Sequence, residues 1–197
     1  MMKEREWLLE YLERYRSVLI EEGTLEAMAR LKALFQECSG RGRKVVFAGN
    51  GGSAAIASHC AVDFTKNAGI RSVNFNEADL ITCFANDYGY EHWVKKALEF
   101  YADSGDVAVL ISSSGKSPNM VEAGHFARQK GLPLVTLTGF EANNPLKALG
   151  GINFWVDSRA YNVIEMTHQI WLLAVCDLIV GKAEYPARED VPYAAVH

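Results

Sequence analysis

Apolar residues follow two rhythms along this chain. From residue 3 to about 39 the spacing is helical. Trp7, Leu8, Tyr11, Leu12, Tyr15, Val18 and Leu19 form one stripe, with Glu and Arg between them. A second set (Leu25, Met28, Ala29, Leu31, Leu34, Phe35) follows Gly23-Thr24, where Thr24 is expected to cap a new helix. Beyond this segment, short continuous apolar runs alternate with amphipathic ones. "KVVFAGN" predicts a strand and Ser53 to Thr65 a helix; "RSVNFN" predicts a short strand and "DLITCFAND" a helix running into a loop. "GYEHWVKKALEFYA" predicts a helix, "DVAVLISSSG" a strand, "NMVEAGHFARQKG" a helix and "PLVTLTG" a strand. "NPLKALG" predicts a short helix, "INFWVDS" a strand, and Asn162 to Gly181 a long apolar helix. Strands alternating with helices imply a parallel sheet covered on both faces. The residues after Lys182, with two prolines and mixed charge, predict an extended tail.

Composition narrows the partners rather than the fold. With 49% hydrophobic residues in 197, the chain suits one domain with a packed core. A net charge of −4 without any basic block argues against coating nucleic acid. The four cysteines, Cys38, Cys60, Cys83 and Cys176, are far apart and form no CxxC pair, which fits free thiols in a reducing cytosol. The first residues are charged throughout and lack a signal-peptide core, and no apolar run is expected to span a membrane. A cytoplasmic protein is expected, without direct nucleic-acid or membrane partners.

Ligands of open α/β sheets bind where strands give way to helices. Two such loops stand out. Gly49-Asn50-Gly51-Gly52-Ser53 has little side-chain bulk and free amides at a helix start, an arrangement that accepts anions. Ser112-Ser113-Ser114-Gly115-Lys116-Ser117 adds hydroxyls to the same geometry. Together they point to a ligand bearing a phosphate and several hydroxyls. Nucleotide readings fare worse. Gly49, Gly51 and Ala54 satisfy the loose G-x-G-x-x-A pattern, but the acidic residue that should follow has only an imperfect candidate in Glu77, and a Walker A glycine falls on Leu110. No nucleotide cofactor is expected.

Four motifs, "GNGGSAAIASH", "FANDYG", "ISSSGKSPN" and "VIEMTHQIWLL", resemble in order and spacing the SIS (sugar isomerase) domain family, in particular its phosphoheptose isomerase branch. The resemblance covers nearly the whole chain. It implies one SIS domain over residues 1–183, with an N-terminal helical segment (1–39) and a tail at 184–197. The implied fold is a flavodoxin-like three-layer sandwich with a parallel five-stranded sheet, assembled as a homotetramer with sites shared between subunits. By resemblance, Asn50, Gly51, Gly52 and Ser53 line the sugar pocket. Asn86 and Asp87 touch substrate, and Ser112, Ser113, Ser114 and Ser117 hold its phosphate.

The same resemblance places a metal-binding His and a catalytic Glu on the first core helix; here those places hold His59 and Asp63. In the last helix the family's Gln position is Glu165, and its catalytic His position is Leu173. Aldose–ketose isomerisation through an enediol needs a base at carbon and a group that polarises the carbonyl oxygen. With that histidine gone, two helices carrying His59/Asp63 and Glu165/His168 are expected to build a replacement, with His59, Asp63 and Glu165 as ligands of zinc or another divalent ion. Asp63 is expected to be the base. Ordinary roles stand beside these: a histidine at a subunit interface for His59, and an i,i+3 pair for Glu165 and His168. His92 and His125 are expected at the surface, Trp155 and Trp171 in the core, and the Trp7/Tyr11/Tyr15 stripe between subunits. The competing function is a non-catalytic tetrameric scaffold or sugar-phosphate sensor like the DnaA-associating SIS protein, which also lacks the final histidine.

Overall fold

The structure is a computed structural model describing residues 2–20 and 22–184. The expected tail beyond 184 lies outside the described residues. Two helices, α1 (Met2–Leu19) and α2 (Glu22–Gly40), precede the alternating part. There follow β1 (Val45–Gly49), α3 (Gly52–Lys66), β2 (Ser72–Asn74), α4 (Ala78–Tyr88) and α5 (Trp93–Tyr101). The chain continues through β3 (Val107–Ser112), α6 (Pro118–Gln129), β4 (Leu134–Thr138), one 3-10 turn (Lys147–Leu149), β5 (Ile152–Trp155) and α7 (Tyr161–Val180). The sheet is parallel throughout, in the order β2-β1-β3-β4-β5. This is the expected three-layer α/β sandwich with flavodoxin-like strand order.

The apolar runs become strands because both sheet faces are covered. Val45 and Phe47 of β1, with Val107, Val109 and Ile111 of β3, pack toward Leu31, Phe35, Ile56, Phe64 and Trp171 on α2, α3 and α7. Val46, Ala48, Ala108 and Leu110 alternate to the other face and meet Trp93, Leu98 and Met120 on α5 and α6. β1 and β3 are neighbours, yet β1 leads to α3 on one face and β3 to α6 on the other. Their loops diverge at this point and leave a crevice beyond the strand ends.

Three expectations need correction. Thr24 does not cap a helix: it lies inside α2, buried, because that helix already begins at Glu22. Trp155 is half-buried rather than core, with Lys147 Nζ 4.8 Å from its ring centre. α7 is long and apolar enough to cross a membrane by length and composition. One side of it serves the core, where Val163, Ile164, Trp171, Leu172 and Val175 are all buried.

Candidate active site

At the divergence of β1 and β3 lies a cavity of about 120 Å³ lined by Asn50, Ser53, Ile111, Ser112, Ser113, Ser114, Ser117, Tyr161 and Glu165. Both helices that open onto it, α3 and α6, begin without a side-chain cap. Their first amides therefore suit an anion. Ser112 and Ser117 are joined Oγ to Oγ at 3.1 Å, and the Lys116 amide donates to Ser114 Oγ at 3.2 Å. Ser113 Oγ is buried without a hydrogen-bond partner. A buried hydroxyl left unpaired in a polar cavity calls for a ligand atom.

The serine loop is braced from below. Gly115 has φ +64°, and a Cβ there would collide with the Asn144 side chain. Asn144 in turn donates to Thr138 Oγ1 at 3.1 Å and accepts from the Lys147 amide at 2.9 Å. The Gly139 amide donates to the Ser113 carbonyl at 2.8 Å.

The two loops are tied to each other by residues the sequence reading missed. Asn50 Nδ2 donates to Asn119 Oδ1 at 2.9 Å, and Asn119 Nδ2 returns the bond to Asn50 Oδ1 at 2.8 Å. The Tyr90 hydroxyl, from the loop after α4, also donates to Asn50 Oδ1 at 3.2 Å. Both acceptor positions of the Asn50 oxygen are thereby used, and only one N–H remains for a sugar hydroxyl. Asn119 had one sequence signal: a polar residue on the face of α6 that also buries Met120 and Ala123.

Glu165 enters this cavity; Asp63 and His59 do not line it. A Cβ at Gly52 would collide with the Glu165 carboxyl, so the glycine supplies its seat. Burial raises the Glu165 carboxyl above the usual carboxylate range. The nearby Ser113 hydroxyl opposes this in part, without geometry that makes a hydrogen bond.

His59 is exposed on α3, its Nε2 3.3 Å from Asp63 Oδ2. Its Nδ1 lies 3.1 Å from Gln169 Nε2 on α7. An amide nitrogen only donates, so Nδ1 accepts and Nε2–H faces the carboxylate.

Asn86 and Asp87 end α4, exposed, with Asn86 Nδ2 donating to Asp87 Oδ1 at 2.9 Å. They do not line the serine cavity, though Tyr90 brings their loop to its edge. His168 is the clear correction. It is fully buried, its Nε2 donates to the Thr138 carbonyl at 3.0 Å, and its Nδ1 has no partner. Three residues from Glu165, it sits around the helix and faces the core. The expected metal set is not assembled within one chain. Among the described residues no three His, Cys, Asp or Glu side chains converge, so His59, Asp63 and Glu165 form no metal site within one chain.

A parallel sheet with an anion-accepting cavity at its switch point defines a doubly wound α/β ligand-binding protein. More particularly, the chain belongs to the SIS domain family, whose model matches residues 9–139. It is 33% identical over 137 residues to a phosphoheptose isomerase of Fusobacterium nucleatum subsp. nucleatum, covering 67% of this chain and 70% of that protein. Over 157 residues it is 32% identical to that of Nitratidesulfovibrio vulgaris, covering 77% and 73%. The fold matches phosphoheptose isomerase from Neisseria gonorrhoeae with a TM-score of 0.78 at 28% identity, covering 91% of this chain and 99% of the other.

Proposed function

We propose that this protein is an aldose–ketose isomerase of a sugar phosphate, of the phosphoheptose class, working in the cytoplasm as a homotetramer. The observation that carries the reading is the serine cavity between two uncapped helix starts, with the buried Ser113 hydroxyl unpaired. The relatives' names support it. Ser112, Ser113, Ser114 and Ser117 hold the phosphate, and Gly51, Gly52 and Ser53 bring α3's first turn to it. Asn50, Asn86 and Asp87 orient hydroxyls. Asp63 is the base that takes a proton from the carbon next to the carbonyl, with His59 fixing its orientation.

Asp63 is eleven residues beyond Gly52, about 16 Å farther along α3 at helical rise. The proposal therefore has α3 of a second copy complete each site. The exposed Val62 beside this pair and the exposed Trp7, Leu8 and Leu12 of α1 offer apolar surface for such contacts. The scaffold alternative gains nothing from the relatives, and the cavity keeps an ionisable carboxyl.

A panel of heptose, hexose and pentose phosphates, followed by NMR for aldose–ketose interconversion, tests the reading. Asp63→Asn is expected to abolish turnover and leave binding intact. Ser114→Asp, placing a carboxylate in the phosphate seat, is expected to abolish binding by calorimetry. Unchanged binding in Ser114→Asp rejects the loop assignment, and a panel without turnover rejects the isomerase.

A further inference from the structure

We infer that Glu165 is the proton donor to the substrate's carbonyl oxygen, taking the place of the histidine absent at Leu173. The inference rests on the isomerase reading above. Among the described residues lining the cavity, Glu165 is the only carboxylic acid, and none is a lysine, arginine or histidine. Tyr161, the other ionisable lining residue, is more than half exposed. Within one chain the groups around Glu165 are therefore neutral, and the base that a second copy brings is itself a carboxylate. Gly52 and Ser53 lie on α3, Asn50 and Ser113 on the two loops, and His168 of its own helix faces away into the core. The charges nearest in sequence on these elements, Lys116 and the His59/Asp63 pair, do not line the cavity. The seat is specific to this side chain, because Gly52 leaves room for the carboxyl that a Cβ would remove.

A phosphate bound in the same cavity brings negative charge beside Glu165, with no lysine, arginine or histidine of the same chain lining the space between them. Like charge disfavours ionisation and adds to the effect of burial. Substrate binding thus loads the acid. In the forward step the base removes a proton from the carbon beside the carbonyl, and that C–H pair becomes the enediol double bond. The carbonyl π pair moves to oxygen and takes the Glu165 proton, leaving a carboxylate. In the second half the carboxylate takes the proton of the neighbouring enediol hydroxyl, a new carbonyl forms there, and the base returns its proton to the other carbon. Atoms and charge balance without an external oxidant or reductant.

The test measures proton uptake and turnover separately. Sedoheptulose 7-phosphate and inorganic phosphate are titrated calorimetrically at pH 7 in two buffers of different ionisation heat. Wild type is expected to take up a fraction of a proton on binding, and Glu165→Gln none. Turnover of Glu165→Gln is expected to fall about 10²–10⁴-fold, the range for a lost acid or base, with binding within about threefold. Gly52→Ala, which displaces the carboxyl without removing it, is expected to lower kcat as well. Equal proton uptake in wild type and Glu165→Gln, or unimpaired turnover in Glu165→Gln, overturns the inference while the isomerase reading stands. If wild type binds neither probe or isomerises no sugar phosphate, the isomerase reading falls and the inference with it.

Discussion

Replacing Asn119 by Leu removes the link between the glycine loop and the serine-loop helix while keeping the number of side-chain heavy atoms. Asn119 is 1% exposed and exchanges two amide bonds with Asn50, at 2.8 and 2.9 Å. Its oxygen also accepts from the Met120 amide at 3.1 Å, but that amide keeps the Ser117 carbonyl at 3.0 Å, so no main-chain donor is stranded. Two side-chain bonds at about 1 kcal/mol each, plus the cost of leaving the half-buried Asn50 amide short of partners, give about 2–3 kcal/mol. With a urea dependence of about 2 kcal/mol per molar, the unfolding midpoint drops by about 1 M. Wild type and variant are compared at one protein concentration, because self-association shifts apparent stability. The loss of loop registry is expected to raise KM for the sugar phosphate about tenfold, about 1.4 kcal/mol. Asn119→Asp keeps the acceptor for Asn50 and Met120 and is expected to lose less stability. A midpoint within about 0.2 M of wild type, with KM unchanged, refutes the view that this amide pair organises the site.

Ser113→Ala is expected to leave stability unchanged or raise it by about 1 kcal/mol, because a buried unpaired hydroxyl is removed, yet to weaken phosphate binding about tenfold; urea titration and calorimetry check the two signs. Burial holds His168 at about 4, below its ordinary 6.5. The fold therefore has its full contribution above pH 6.5 and loses about 3 kcal/mol as pH falls through 4, below which both states are protonated. His168→Gln, which still donates to the Thr138 carbonyl, is expected to flatten that part of the stability profile. Sedimentation is expected to give a tetramer that deletion of residues 1–22 weakens; a monodisperse monomer counts against sites shared between copies.

The doubly wound fold was legible because its strands are continuous apolar runs and its helices carry an apolar stripe. β1 and β3 are the clear cases, bounded by glycine and serine loops. Thr24 misled because a β-branched hydroxyl residue after glycine reads as a cap, while the burial that decides its place comes from the packing of α2 on the sheet. The serine and glycine loops were legible as a pair because both follow strands. The roles of Asn119 and Tyr90 were not, since Asn50 meets them across 69 and 40 positions of sequence. His168 and Glu165 were grouped by their spacing of three. On a helix that spacing still leaves a rotation of about 60°, enough here to send one side chain into the core and the other into the cavity.

α7 carries two kinds of information on separate sides. Val163, Ile164, Thr167, His168, Trp171 and Leu172 are buried in the core. Glu165 and Gln169, four apart, instead meet Gly52 and His59 along α3, and Leu173 is the next residue in that row, only partly buried. Substitution at the first two of these positions changes which proton-transferring groups the helix offers and leaves its anchoring side untouched, while Leu173 also packs against the core. A library randomised at 165 and 169 therefore samples new reactivity at little risk to folding, whereas a change at position 173 carries a stability cost.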